Sequence, residues 1–171
     1  IPILIGGGAE PAIRRAAQLA DGIFSNVSPE KLALQLKWIE DECHRIDRDP
    51  AQLRVVHYSV MLPGDSAEDA WARYLDHVWH MTWKYDDMEA SATRAGPPPS
   101  PPPLTPDRQK RLQQRFTIAG SSEEIVNSLL EIRSKASMPV EFVARSIFST
   151  LPFPDQLELM QQLAAEVAPH I

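Results

Sequence analysis

The chain has 171 residues, of which 43% are hydrophobic and 23% are charged. These proportions are ordinary for a soluble globular protein, and the length is sufficient to bury a core. The net charge of −6, without a basic stripe interleaved with aromatic residues, argues against nucleic acid and anionic membranes as partners. Cys43 is the only cysteine, which excludes an internal disulfide bond. No apolar run in the sequence approaches the length of a membrane span, which needs about 20 residues. We therefore expect a cytoplasmic protein.

The first part of the chain predicts alternating strands and helices. Residues 1–5 form an apolar run typical of a strand covered on both faces, and three glycines end it. Pro11 suits the first turn of a helix, and Ile23-Phe24 predicts a second strand. Ser28 is the expected N-cap of a long helix. The apolar face of that helix carries Leu32, Leu36, Ile39, Cys43 and Ile46.

Residues 55–62 predict a third strand, followed by a helix with a periodic stripe of large side chains. This stripe consists of Trp71, Tyr74, Val78, Met81, Tyr85 and Met88. It is first of all a packing face. The Pro-rich loop over residues 93–106 contains GPPPSPPP, which predicts an extended polyproline conformation. We expect it to be a loop within a single domain covering residues 1–171.

Two helices and one strand are predicted next, and a helix closes the chain. Residues 105–116 favour a helix, and Ser121 with Glu124 form a capping box that begins another. Residues 140–148 predict a fourth strand, and a final helix over 155–168 carries Leu157, Met160, Leu163 and Val167. Alternating strands and helices with continuous apolar strands indicate a parallel sheet with crossover helices. Four such units are either half of an eightfold barrel or a small open sheet.

The glycine triplet, Gly6 to Gly8, has three competing interpretations. A dinucleotide fingerprint needs a glycine where Pro11 stands, and a P-loop needs a Gly-Lys-Ser/Thr ending that is missing. The third interpretation is a loop that brings the backbone close to an anion at a helix N-terminus. A tight turn without a ligand remains the alternative. Glu10 would repel an anion unless its carboxylate turns away.

Four segments in order carry a family resemblance. The segment IPILIGGGAEPAIRRAAQLADGIF resembles the luciferase-like flavin- or deazaflavin-dependent oxidoreductases, in which an apolar strand, a small-residue loop and R-x-A-A-x-x-A-D-G precede a second strand. RDPAQLRVVHYSVMLPGDSAEDAWA, FTIAGSSEEIVNSLLEI and LAAEVAPHI are similar to later segments of the same family. The resemblance spans nearly the whole chain. Relatives often have a Trp-Pro-Gly-like step where FSTLPFP stands here.

The resemblance implies the C-terminal half of a (β/α)8 TIM barrel, with about four parallel strands and crossover helices. The first four strands of the barrel would then be missing, and we expect this part alone to be inactive. The family reaction is monooxygenation or hydride transfer on a small-molecule substrate, with FMN or a deazaflavin as cofactor. The implied phosphate-binding loop falls on Gly6, Gly7, Gly8, Ala9 and the backbone of Glu10. Relatives often have a serine in this loop, whereas only backbone N–H groups are offered here.

The remaining candidate residues are weaker. In a barrel, chemistry lies at the C-terminal ends of the strands, which points to Ser25 and Asn26, Pro63-Gly64, and Arg145-Ser146. Arg145 could contact cofactor or substrate, or pair with a carboxylate. His57 could transfer a proton, although a hydrogen-bonded structural histidine is the main expectation.

Two further hypotheses concern a metal site and a non-catalytic function. His77 and His80, with Asp76 nearby, are spaced as metal ligands could be, but such helix-surface pairs are usually not ligands and we expect no metal. The competing function is a non-catalytic α/β half-barrel module that dimerises or interacts through its open edges. A homo-oligomer is therefore a further expectation.

Overall fold

The computed structural model describes residues 1–91, 100–113 and 117–171, with side chains described only to residue 88 in the first range. Within these residues, apart from the third and fourth helices, which follow one another, strands and helices alternate along the chain. They are β1 (Leu4–Gly6), α1 (Glu10–Leu19), β2 (Gly22–Ser25), α2 (Pro29–Arg45), β3 (Arg54–Pro63), α3 (Ala67–Ser91), α4 (Pro106–Gln113), β4 (Thr117–Gly120), α5 (Ser122–Lys135), β5 (Val140–Arg145) and α6 (Phe153–Gln162). A π-helical turn, Leu163–Val167, and a 3-10 turn, Ala168–His170, extend α6.

The chain divides into two compact units. The first contains Ile1–Val60, Val126–Arg145 and Ile171, and the second contains Met61–Ile125 and Ser146–His170. The first unit holds a parallel sheet in the order β1, β2, β3, β5. β3 aligns with β5 from the pair Val55 and Val140 to the pair Val60 and Arg145. The carboxyl ends of β1, β2 and β5 therefore lie at one edge of this sheet.

The core of the first unit follows the predicted helical periodicity. α1 packs on α2, and the predicted apolar face of α2 is confirmed except at Ile46, which is the half-buried C-cap residue. Leu32, Leu36, Ile39 and Cys43 are fully buried. The burial of Cys43 raises the pKa of its thiol, which disfavours the thiolate. Ser28 caps α2 as predicted, because its hydroxyl accepts a hydrogen bond from the Lys31 N–H at 3.4 Å.

The second unit contains α3, α4, α6 and β4. α3 contacts both α4 and β4, and its buried side chains include Tyr74 and Val78. The ring of Tyr74 lies against that of Phe148 with a centroid distance of 6.3 Å. The predicted capping box is confirmed: the Glu124 N–H donates to the Ser121 hydroxyl at 3.2 Å, and the Ser121 N–H donates to the Glu124 carboxylate at 2.8 Å. In the described ranges, no helix combines the length and the apolar character needed to span a membrane.

Two predicted strand boundaries are wrong, and one strand was missed. The first strand begins at Leu4 rather than at residue 1, because its ladder with β2 starts only at Gly22. The last strand ends at Arg145 rather than at residue 148. The apolar residue at position 148 is explained by its burial against Tyr74 and not by membership of the sheet. The short strand β4, next to β3 in the sheet order, was not predicted from the sequence.

The helical predictions need two smaller corrections. α4 begins at Pro106 rather than at residue 105, and the predicted continuation over residues 114–116 lies outside the described residues. On the closing helix the buried positions are Leu159, Leu163 and Val167, whereas Leu157 and Met160 are exposed. The prediction is thus confirmed for Leu163 and Val167 and wrong for Leu157 and Met160, since the buried residues recur every four positions from Leu159. Of the Pro-rich loop, residues 93–99 lie outside the described part, and 100–105 run without helix or ladder.

Candidate functional site

The glycine loop connects the end of β1 to the start of α1. Gly7 has a φ of +147°, a conformation that L side chains rarely adopt, and a Cβ added there would lie 3.0 Å from the Cβ of Ala12. A Cβ added at Gly8 would have no heavy atom within 4 Å. Gly7 is therefore required by the backbone, whereas Gly8 leaves open space in front of the helix.

The N-terminus of α1 has no side-chain cap. Ala9 is the N-cap residue with extended φ and ψ, and its methyl group cannot accept a hydrogen bond. The first bond of the helix is donated by the Ala12 N–H to the Ala9 carbonyl at 3.0 Å. The amides that precede it belong to the glycine loop and to Glu10. Such an end presents N–H groups and the positive end of the helix dipole, which together suit an anion.

The opposite end of α1 is anchored by an arginine. The guanidinium of Arg48 donates to the carbonyl of Ala17 at 2.8 Å and to that of Ala20 at 2.9 Å. These carbonyls lie at the C-terminal turn of the helix, which carries no basic residue of its own. A cation at this end is favourable because it complements the negative end of the dipole.

The carboxylate of Glu10 is already paired. Its Oε1 atom accepts a hydrogen bond from Nε of Arg14, one turn later in α1, at 2.8 Å. The same oxygen forms an ion pair with Nη2 of Arg14 at 2.7 Å. Arg14 also lies 3.4 Å from the buried carboxylate of Glu42 in α2. The arginine compensates the charge that would otherwise oppose an anion at the loop.

A buried glutamine connects this loop to the neighbouring strand. The Gln35 side chain is fully buried, its Oε1 accepts from the Ser25 hydroxyl at 2.7 Å, and its Nε2 donates to the Gly7 carbonyl at 3.4 Å. Ser25 was among the residues predicted at the strand ends, whereas Gln35 was not singled out. The available signal was a polar residue within the apolar stripe between Leu32 and Leu36. The bridge fixes the glycine loop relative to the end of β2.

His57 holds the next loop in the same unit. It is fully buried in β3, with Nε2 2.9 Å from the Val27 carbonyl and Nδ1 3.1 Å from the Ser59 hydroxyl. Since the carbonyl can only accept, Nε2 carries the proton and Nδ1 accepts from the hydroxyl. Burial lowers the pKa of this imidazole, and the hydrogen bond to Val27 partly offsets the effect. The geometry fits the expected structural histidine, while proton transfer stays a prediction.

An aromatic pair was missed in the sequence. The rings of Phe24 and Tyr58 stack with a centroid distance of 4.4 Å and an angle of 11°. Phe24 is aligned with Gly6 in the ladder between β1 and β2. Tyr58 follows His57 in β3, so its side chain and that of His57 lie on opposite faces of the sheet. Both side chains are half-buried. A flat apolar surface therefore begins next to the glycine loop.

The other predicted positions are placed as follows. Arg145 ends β5, is half-buried and is aligned with Val60; its role stays a prediction. His77 and His80 lie in the second unit, where their Nδ1 atoms are 2.7 Å from the Thr150 hydroxyl and 3.4 Å from the Ser149 hydroxyl. In the part of the chain that the structure describes, no three His, Cys, Asp or Glu residues form a metal-binding group.

Comparison with known structures supports the fold. The coenzyme F420-dependent tetrahydromethanopterin reductase from Methanopyrus kandleri is 17% identical with a TM-score of 0.63, over 99% of this chain and 51% of that one. The monooxygenase RslO1 from Streptomyces bottropensis is 15% identical with a TM-score of 0.62, over 99% and 48%. The type II Baeyer–Villiger monooxygenase from the CAM plasmid of Pseudomonas putida, solved with FMN, is 12% identical with a TM-score of 0.56, over 98% and 48%. The predicted half of a TIM barrel is thus confirmed, and the chain spans about half the length of these structures.

The sequence comparisons address the family directly. A search of curated proteins finds no match. The family model described as luciferase-like monooxygenase matches residues 1–137 and includes the glycine loop, β1 to β4 and α1 to α5. That match covers most of the chain and agrees with the resemblance of its four segments. The chain belongs to the luciferase-like monooxygenase family.

Proposed function

We propose that this chain is the C-terminal portion of a flavin- or deazaflavin-dependent oxidoreductase, and that its glycine loop, Gly6 to Glu10, holds the cofactor phosphate. The observation that carries the proposal is the uncapped N-terminus of α1 behind a residue, Gly8, whose added Cβ would meet nothing within 4 Å. Family membership and the solved relatives with F420 or FMN support the choice of ligand.

The residues present fit a phosphate group. Backbone N–H groups at a helix start can donate to phosphate oxygens, and the dipole adds a favourable field. The nearest carboxylate, Glu10, is neutralised by Arg14. Gln35 fixes the Gly7 carbonyl and so orients the loop before a ligand arrives. Binding rests on the backbone alone, so the loop recognises charge and shape but not one particular phosphate ester.

The chemistry of the reaction belongs to the cofactor, which supplies hydride transfer or oxygen activation when bound. The chain's own residues bind and orient it. The stacked pair of Phe24 and Tyr58 offers an apolar surface beside the loop, and Arg145 is the cationic side chain at the end of β5. Because the chain spans about half of its solved relatives, we assign turnover to an assembly with further strand–helix units.

The proposal is tested with ligand pairs that differ only in the phosphate. Purified protein is titrated with FMN and with riboflavin, and with a deazaflavin carrying or lacking its phosphate, while ligand fluorescence is followed. FMN or the phosphorylated deazaflavin should bind at least about tenfold more tightly, because charge-assisted hydrogen bonds are the strong ones. Gly8→Val should abolish this difference, since its side chain would occupy the space in front of the helix.

Ala51→Val is the matched control. It also adds apolar bulk at an exposed position, but in the turn that precedes β3, at the other end of the sheet. It should retain the preference for the phosphorylated ligands. Equal affinities for FMN and riboflavin, and for both deazaflavins, would refute the phosphate loop. So would a preference that Gly8→Val leaves intact while circular dichroism shows a folded protein.

The unpaired sheet edges favour a second candidate function, a half-barrel module that associates through them. In the described residues β1 pairs only with β2 and β5 only with β3, and Ile3 and Val143 expose 63% and 42% of their surface. Unpaired edges with apolar residues favour association. Light scattering should then show a mass that rises with concentration. Val143→Lys should suppress this rise in mass, whereas Leu19→Lys, at an exposed position of α1, should not. A protein that stays monomeric at all concentrations refutes this function.

A further inference from the structure

Part of the Pro-rich loop lies against α3 in the second compact unit. We call residues 100–103, with the sequence Ser-Pro-Pro-Pro, the proline strap. Residues 100–102 each precede a proline, which restricts them to extended backbone, and proline itself fixes φ near about −65°. These restrictions favour the polyproline II conformation for the strap, in which carbonyl groups point outward without partners in their own segment.

Two side chains hold consecutive carbonyls of the strap. The indole N–H of Trp79 donates to the Pro102 carbonyl at 3.1 Å. The guanidinium of Arg108 donates to the Pro103 carbonyl at 2.7 Å. The same guanidinium lies over the Trp79 ring, 5.9 Å from its centroid. The indole and the guanidinium thus act as one unit that contacts the strap through hydrogen bonds to its backbone.

Regular structure positions both groups. Trp79 follows Val78, whose burial fixes this turn of α3 in the core. Arg108 lies in the first turn of α4, where its own N–H donates to the Thr105 hydroxyl at 3.4 Å. Leu112 of α4 is buried and fixes that helix as well. The two donors are therefore carried by helices that precede and follow the strap, and not by the strap itself.

We propose that Trp79 and Arg108 form a binding site for proline-rich segments in the polyproline II conformation, which the chain's own strap occupies. An indole N–H donor with a flat apolar ring matches such segments, because they combine outward carbonyls with apolar rings and lose little entropy on binding. A proline-rich peptide from another chain binds in the same way once the strap is removed. This site is independent of the glycine loop, and its residues all belong to the second unit.

The experiment separates the site from its occupant. In the strap variant, Pro101→Gly, Pro102→Ser and Pro103→Gly are combined, and the capped peptide Ser-Pro-Pro-Pro-Leu-Thr is added in solution. The indole N–H resonance of Trp79 is followed by nitrogen–proton correlation spectra. It should move when the strap is replaced and return towards its original position as the peptide is titrated. In the unaltered protein the peptide should bind far more weakly, because the tethered strap competes at a high effective concentration.

Single substitutions identify the donors. Trp79→Phe in the strap variant should weaken peptide binding about fivefold to tenfold, the effect of one hydrogen bond. Trp83→Phe is the matched control, since Trp83 lies on the same helix against His80 and Lys84. A peptide that binds the Trp79→Phe and Trp83→Phe proteins equally, or not at all to the folded strap variant, overturns the proposal.

A measurement on the unaltered protein covers the case in which the strap variant does not fold. The Trp79 indole N–H should exchange with deuterium at least about tenfold more slowly than an indole in a short peptide, since opening of its hydrogen bond must precede exchange. Arg108→Gln should accelerate that exchange. Exchange as fast as in the peptide overturns the proposal.

Discussion

The side-chain oxygen of Gln35 accepts a hydrogen bond from the hydroxyl of Ser25 at 2.7 Å, and both residues are buried. The amide nitrogen of the same glutamine donates to the Gly7 carbonyl. One side chain on α2 thus joins the end of β2 to the loop after β1. A ligand bound at the glycine loop would depend on a residue that does not touch it.

Gln35→Leu should destabilise the protein by about 1–3 kcal/mol, because it leaves the buried Ser25 hydroxyl and the Gly7 carbonyl without this partner. Ser25→Ala should cost less, and the double variant should cost less than the sum of the two. The measurement is a double-mutant cycle from urea unfolding, read as the coupling free energy. Strictly additive effects would show that the two side chains do not act together.

The two central glycines should respond differently to the same substitution. Gly7→Ala should lower the free energy of unfolding by about 1–2 kcal/mol, because φ is +147° and the new methyl group meets Ala12. Gly8→Ala should be neutral or stabilising by up to about 1 kcal/mol, since it restricts the unfolded chain without a clash. Chemical denaturation measures both. Equal losses would show that the loop has a different backbone conformation.

The buried imidazole of His57 should make stability depend on pH. Its pKa in the folded protein is lowered, mainly by burial, so the unfolded chain takes up the proton first. The stability contribution is complete above the unfolded pKa of about 6.5 and is lost as the pH falls through that value towards the folded pKa. Unfolding followed from pH 8 to pH 5 should therefore show decreasing stability.

His57→Gln tests the origin of this dependence. Glutamine keeps a donor and an acceptor but cannot take up a proton in this range. The variant should be less stable at pH 8 and should lose less additional stability towards pH 5. His77→Gln, a half-exposed histidine in the other unit, is the control and should retain the wild-type slope. A His57→Gln protein with an unchanged slope would contradict the assignment.

Glu42 should govern stability in more acidic solution. Hydrogen bonds from Arg45 and then from Gln18 lower the pKa of its carboxyl group to about 2, against the opposing effect of burial. The folded pKa is lower than the unfolded one, so the stabilisation is present above about pH 4.5 and is lost as the pH falls towards 2. Glu42→Gln should be less stable at neutral pH and show a flatter acid profile. Asp41→Asn, exposed on the same helix, should keep the wild-type profile.

Local signals in the sequence predicted much of the fold. The cap at Ser28 and the capping box of Ser121 and Glu124 were predictable because each involves residues three positions apart. The buried face of α2 was predictable because its apolar residues repeat with the helical period. The glycine loop was also predictable, because its position between a strand and a helix is visible in the local sequence.

Contacts between distant residues were not predictable from the sequence. Gln35 meets Gly7 28 residues away, and Trp79 meets Pro102 23 residues away. Each partner is an ordinary residue in its own neighbourhood, so no local pattern marks it. β4 was missed because it has only four residues, and of its two alternating buried positions, Ile118 and Gly120, only Ile118 has a large apolar side chain.

The anchoring of α1 has a consequence for how this family member can change. Arg48 holds the helix from its C-terminal carbonyls, whereas the N-cap residue at the loop end, Ala9, makes no side-chain cap hydrogen bond. The position of the helix and the composition of the loop are therefore separable properties. New side chains at Gly8 or Ala9 could alter what the proposed phosphate-binding loop accepts without displacing the helix behind it, so specificity could evolve in this short segment at small cost to the fold.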